Sequence, residues 1–419
     1  MKPFSFIHAA DLHLGSPFKG VGSKLPAVAE TLGAATYDAF SGLIELCIEK
    51  KVDFLLVSGD VFDSSDRSLR AQLAFRDGLK RLSDAGIRSF TVFGNHDPLE
   101  AWSGRIDWPE KAHVFSADQV GVVPVATHGT PVATISGISY RTQHQPEDLS
   151  ARFLPKHPDL YQIALLHGNC GSHPEHGAYA PCSLESLRKS GFDYWALGHV
   201  HEKKILETRP HVVYSGCTQG LSIRETGAHG CWLVSVAADR RAELSFQPLD
   251  RVRWRWVEID ISGLETLDSL DQALSETLSR CAEQEDGRPV ILRIRLTGRG
   301  QLYGPLRQPA TAEELVERSR ELGALQTPSV WVQDLAIDCG PEVDLDQRST
   351  MDDLLGQILQ NARELGKTSE VPDRLMPVLS DLYQHARLST YLESPSPSEL
   401  QSLLHDAALT CLDHLESDP

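Results

Sequence analysis

No stretch of this 419-residue sequence approaches the roughly 18 to 20 consecutive apolar residues that a membrane-spanning helix requires, so a helical membrane protein is excluded. The opening, MKPFSFIHAADLHL, meets charge too early for a secretory leader, and a cytoplasmic location is expected. Eight cysteines, at 47, 170, 182, 217, 231, 281, 339 and 411, never fall in a CxxC spacing. Zinc knuckles and dithiol redox centres drop out, leaving reduced, mostly structural thiols. Basic residues are also scarce: 40 Lys and Arg stand against 58 Asp and Glu, a net charge of −18. Such a balance argues against holding nucleic acid by bulk electrostatics. There is no internal repeat and no low-complexity tract. At 41% hydrophobic residues, the chain is expected to be a soluble globular protein of two or three domains.

The acidic excess is uneven. Residues 1–250 carry 24 Lys and Arg against 28 Asp and Glu, whereas residues 251–419 carry 16 against 30. A polyanion would therefore meet the first part, and bound divalent cations would make a cleft there positive whatever the global sum.

The first part reads as alternating strands and helices, the pattern of parallel βαβ units. Phe4 to Ala10 is a strand that breaks at Asp11-Leu12-His13. A helical spacing from Pro26 to Lys51 leads into the buried strand of FLLVSGDVFD, which stops at Gly59 and hands Asp60 to the loop. A helix over Ser68 to Ala85 precedes Ser89 to Phe93, which ends in Gly94-Asn95-His96-Asp97. Short β-rich runs between Val114 and Tyr140 predict a second sheet rather than further crossovers. Tyr161 to Leu166 ends in His167, and, after a helix from Cys182 to Ser190, Tyr194 to Leu197 ends in Gly198-His199-Val200-His201. Near Leu249 the character changes. Residues 251–340 read as a small α+β appendage, and 341–419 as a helical region whose three helices begin at Met351.

Five strand ends thus present Asp11 and His13, Asp60, Asn95 and His96, His167, and His199 and His201. Hard oxygens and imidazoles suit divalent first-row ions such as Mn2+, Fe2+ or Zn2+, and the donors are too many for one ion. Two ions roughly 3.5 to 4 Å apart can share a carboxylate and a bridging hydroxide that attacks phosphorus in line. Only Asp11 and Asp60 return negative charge, so the site stays positive enough for a phosphodiester. Other residues keep two readings. Asp63 either supports this site or caps the turn before the next helix. Arg141, Lys203, Lys204, Arg251, Arg253 and Arg255 are candidate phosphate contacts or ordinary surface charge. His173 and His176 read as a solvated loop.

DLH, GDVFD, GNHD, the His of LLHGN and GHVH, in this order, resemble the five signature segments of the calcineurin-like metallophosphoesterases. Within that superfamily, IHAADLHLG and GDVFD with a long C-terminal part are similar to the SbcD-type DNA-repair exonucleases and, among these, to the YhaO-type branch. The resemblance implies an α/β fold, a two-sheet sandwich flanked by helices. It implies a first metal on Asp11, His13 and His201, a second on Asn95, His167 and His199, and Asp60 as their bridge. His96 is then the group that stabilises or protonates the leaving oxygen, with Asp97 to orient it. Two Mn2+ ions, DNA as substrate, a coiled-coil ATPase of the SbcC type as partner and a homodimer are further expectations. A phosphatase or small-nucleotide phosphodiesterase is the nearest alternative. Protein phosphatases of the superfamily, however, place Arg before GNH and Glu after it, where this chain has Phe93 and Asp97. A non-catalytic DNA-binding scaffold is a third reading, opposed by the intact donor set and His96.

Overall fold

The computed structural model describes residues 1–18, 21, 28–63, 68–101, 106–171, 179–368, 370–383 and 395–416. The loop holding His173 and His176 lies outside them. The chain divides into two compact units, the first comprising Met1–Trp256, Ala282–Leu292 and Thr327–Gln333, the second Val257–Cys281, Arg293–Gln326 and Asp334–Pro419.

The first unit is a sandwich of two six-stranded sheets. Its strands are β1 (Phe4–Ala9), β2 (Phe54–Ser58), β3 (Arg88–Val92), β4 (Ala112–Val114), β5 (Gly121–Thr127), β6 (Thr130–Gly137), β7 (Tyr161–His167), β8 (Tyr194–Gly198), β9 (Lys204–Thr208), β10 (His211–Tyr214), β11 (Gly230–Val236) and β12 (Ala242–Pro248). One sheet has the order β12-β11-β1-β2-β3-β4 and the other β5-β6-β7-β8-β10-β9. β1 to β4 run parallel, as do β6, β7, β8 and β10. The crossover helices are α1 (Ala29–Lys50), α2 (Leu69–Asp84) and α3 (Leu184–Lys189).

The apolar runs are continuous because each central strand is covered on both faces, as in parallel sheets generally. Phe4, Phe6, Phe54, Leu56, Phe90 and Val92 meet Ile135, Ile163, Leu165, Tyr194 and Ala196 between the sheets. The alternate residues Ile7, Ala9, Leu55 and Val57 pack under Phe40, Leu43, Ile44, Phe75 and Leu79 of α1 and α2. On the far side Leu166, Trp195 and Leu197 pack with Phe153, Leu187 and Phe192. The period-2 alternation places one half of each central strand in the inner core and the other half beneath the helices. Parallel strands flanked by helices bring their carboxyl ends to one edge, where such folds bind ligands.

A third sheet has the order Arg253–Asp260, Val290–Thr297, Val330–Ile337. In the second unit, Leu354–Gly366 and Pro397–Glu416 enclose Leu355, Leu359, Ala408 and Leu412, and Val371–Tyr383 is a further helix. Among the described residues no helix is long and apolar enough to cross a membrane.

Candidate metal centre

The loops after the parallel strands are tied to each other by backbone. The N–H groups of Asp11, His13 and Leu14 donate to the carbonyls of Gly59, Asp60 and Val61 at 3.0, 3.1 and 2.9 Å, so the loop after β1 runs beside the loop after β2. Asp11, His13, Asp60 and His199 all have positive φ, at 50°, 42°, 50° and 101°. Side chains other than glycine rarely adopt this conformation, and it persists where the surroundings overdetermine it, most often at functional sites.

The side chains converge. One carboxylate oxygen of Asp60, Oδ2, lies 3.3 Å from His167 Nε2 and 4.0 Å from His13 Nε2, while Oδ1 accepts the His96 N–H at 2.9 Å. Asn95 Oδ1 lies 3.0 Å from His167 Nε2 and 3.1 Å from His199 Nδ1. His13 Nε2 and His201 Nε2 are 3.1 Å apart, and the His199 N–H reaches both Asp11 oxygens at 3.1 and 3.2 Å. Donor atoms of Asp11, His13 and His201 lie within 4.8 Å of one another, as do those of Asp60, His167 and His199.

These groups fit divalent ions. His167 Nδ1 is 2.9 Å from the Ser58 carbonyl, which can only accept, so Nδ1 carries the hydrogen and Nε2 aims a lone pair at two oxygens. His201 Nδ1 likewise lies 2.7 Å from Glu225 Oε1, leaving its Nε2 lone pair to face His13. At His167 a lone pair turned on acceptor oxygens calls for a positive species between them. Neighbouring ligands on an ion with ~2.1 Å bonds sit ~3.0 Å apart when octahedral, close to the separations here.

Proton affinity shows the same demand for positive charge. Burial works against a proton on His167, but the charge and hydrogen bond of Asp60 carry its pKa up to about 9. For His201, burial is again outweighed, by the Glu225 hydrogen bond and the Asp11 charge, and the pKa reaches about 9. Burial alone would raise Asp60, yet His167 and His13 hold it well below the usual carboxylate range. Burial pushes Asp11 up to about 6 and His13 down to about 3.

His96 stands at the rim, its side chain 36% exposed against 5% for His13. Its orienting partner differs from the expected one. His96 Nδ1 lies 3.2 Å from Asp63 Oδ1, and Asp63 Oδ2 in turn accepts the Ser16 hydroxyl at 3.2 Å. Asp97 is fully buried and accepts the N–H groups of Val61, Phe62 and Gly94 at 2.6, 3.2 and 2.7 Å. The residue next to His96 in sequence thus pins the loops after β2 and β3, and Asp63 arrives from another strand to take the ring. Against burial, the Asp63 hydrogen bond and the Asp60 charge keep the His96 pKa above the ordinary histidine value.

Apart from Lys204, the other basic candidates have protein partners. Arg141 pairs with Asp118 and Glu100 at the surface. Lys203 donates to the Ala228 carbonyl and lies over the Phe246 ring, whereas Lys204 is exposed on β9. Arg251 donates to the Asp38 carbonyl, Arg253 is buried between Asp250 and Glu285, and Arg255 pairs with Glu285. Glu225 escaped the sequence reading. It sits in SIRETGAHG, which carries no motif, and only its place beside His201 marks it.

Asp, Asn and His donors drawn to one point from the ends of parallel strands in two mixed sheets, with a histidine at the rim, define a metal-dependent hydrolase scaffold. Residues 4–203 match the calcineurin-like phosphoesterase family, and residues 254–340 match the middle domain of the metallophosphoesterase YhaO. The uncharacterized metallophosphoesterase YhaO of Bacillus subtilis is 31% identical over 97% of this chain and 96% of its own. The chain therefore belongs to the calcineurin-like metallophosphoesterases, in the family of YhaO, and is a hydrolase. It is also similar to the DNA double-strand break repair protein Mre11 of Sulfurisphaera tokodaii, at 29% identity over 49% of this chain and about half (51%) of that one. Mre11 of Thermoplasma acidophilum is 25% identical over 62% of this chain and 70% of its own.

Proposed function

We propose that the protein is a dinuclear-metal nuclease that hydrolyses the phosphodiester bonds of DNA, with Mn2+ as its ion. Asp11, His13 and His201 would hold one ion and Asn95, His167 and His199 the other, with Asp60 shared. When bound, the ions supply charge neutralisation at phosphorus and a water acidified enough to attack it near neutral pH. The chain's own residues do the rest. Asp60 keeps its negative charge at all working pH values and, held by the His96 N–H, stays aimed into the site. His96 gives a proton to the leaving oxygen, with Asp63 and Ser16 fixing its ring.

The observation that carries the reading is the double grouping of donors around one carboxylate, Asp60, next to a rim histidine held by Asp63. The choice of DNA rests on the likeness to the two Mre11 proteins. An ATPase partner of the coiled-coil type and a homodimer belong to the same proposal. End-labelled duplex and single strands, incubated with Mn2+, Mg2+ or chelator, test it, and cleavage with Mn2+ that chelator abolishes is expected. The net charge of −18 favours a second reading, a phosphodiesterase of small nucleotides. Hydrolysis of bis-p-nitrophenyl phosphate with no action on any DNA would replace the first reading by the second.

A further inference from the structure

Building on that dinuclear reading, we propose that Glu225 is a positioning residue, which fixes the tautomer and orientation of His201 and so sets how tightly the Asp11, His13, His201 group holds its ion. His201 is the least enclosed of these ligands, with its side chain 29% exposed against 5% for His13 and 0% for His167. His13 and His167 are enclosed by their surroundings, and His167 is held further by the Ser58 carbonyl on its Nδ1. His201 depends on a hydrogen bond, and Glu225 Oε1 accepts it at 2.7 Å.

The carboxylate is itself held at both ends. Its other oxygen, Oε2, accepts the Leu221 N–H at 2.6 Å, which closes the 221–225 turn on the side chain. The Glu225 carbonyl lies 3.1 Å from His229 Nε2, and because a carbonyl only accepts, that nitrogen carries the hydrogen. His229 Nδ1 is then a bare acceptor, and the Cys217 thiol, 3.1 Å away, donates to it. Cys217 and His229 are both buried, and donation converges on Glu225 from two sides, from His229 to its backbone carbonyl and from His201 to its carboxylate. The carboxylate thereby leaves the hydrogen on His201 Nδ1 and the lone pair on Nε2, toward His13 and Asp11. Carboxylate partners of this kind on ligating histidines typically govern metal affinity by about 10- to 100-fold.

The test is calorimetric titration of the chelator-stripped full-length protein with Mn2+, for the wild type, Glu225→Ala and Glu225→Gln, with thermal melting of each metal-free form. The wild type should bind two ions. In Glu225→Ala one of the two should weaken about 10- to 100-fold while the other keeps its affinity, and the spin-coupled signal of an ion pair should be lost at one equivalent excess. Glu225→Gln retains one oxygen for its two donors and should fall between. It decides the matter if the alanine variant does not fold. Wild-type affinity for both ions in both variants would overturn the proposal, as would equal weakening of both ions together with a lower metal-free melting temperature, the mark of general loosening. A wild type that does not take up two ions would instead refute the dinuclear reading beneath it.

Discussion

Gly94 is the most exacting probe of the site, because its substitution inserts one methyl group and strips nothing away. A Cβ built there would lie 2.3 Å from Asp60 Oδ1 and 2.7 Å from His167 Cδ2 and Nε2. Cβ contacts shorter than 3.0 Å essentially do not occur, so the carboxylate must retreat by at least 0.7 Å, the difference of the two distances. The residue that shares both groups would leave its place, and misplacement near 1 Å costs about 100-fold in rate. Overpacking should cost about 1 to 3 kcal/mol of stability, small enough for the fold to survive. Gly94→Ala is therefore expected to melt as a folded protein while hydrolysing bis-p-nitrophenyl phosphate with Mn2+ about 100-fold more slowly and binding Mn2+ more weakly. Turnover and metal affinity equal to wild type would show that Asp60 need not stand where the structure places it, and the functional reading would go with it.

His96→Ala should lose about 100- to 10,000-fold in turnover yet keep its full metal content after dialysis, and an empty site by elemental analysis would contradict the role given to His96. Asp97→Ala should destabilise the fold, by about 1 to 3 kcal/mol for each buried N–H left unpaired at Val61, Phe62 and Gly94. Urea unfolding measures this, and an unchanged midpoint would remove Asp97 as the pin of those loops. In the metal-free protein His167 and His201 hold protons up to pH about 9, above the ordinary histidine value. Bound metal must displace them, so apparent Mn2+ affinity should rise from pH 7 to 9, by up to about tenfold per unit for each proton released. Titrations in buffers of differing ionisation heat would count those protons. A flat profile would mean that the two rings do not meet the ion.

The framework was legible because the central strands are buried on both faces. Runs such as FLLVS and YQIALLH cannot lie at a surface, and a polar residue at the end of each run has to emerge at the same edge. The crossover helices followed from ordinary apolar spacing. β9 was missed for the opposite reason: Lys204–Thr208 is an edge strand with mostly exposed side chains and no apolar face to betray it. The partner of His96 was misread because adjacency in sequence stood in for adjacency in space. At the end of β3 the backbone turns Asp97 inward to three N–H groups, and Asp63 comes to His96 from the loop after β2. Glu225 stands 24 residues from the ring it holds, in a turn without periodicity, and nothing local distinguishes it from a surface glutamate.

Asp11, Asp60 and Asn95 hang from one sheet, His167, His199 and His201 from the other. Neither half of the sandwich owns enough of the chemistry to act alone. During synthesis from the amino terminus the last donor emerges only after about half of the 419 residues, and Glu225 later still. A nascent or truncated chain would thus lack hydrolytic activity, which would arise only once both sheets had closed upon each other.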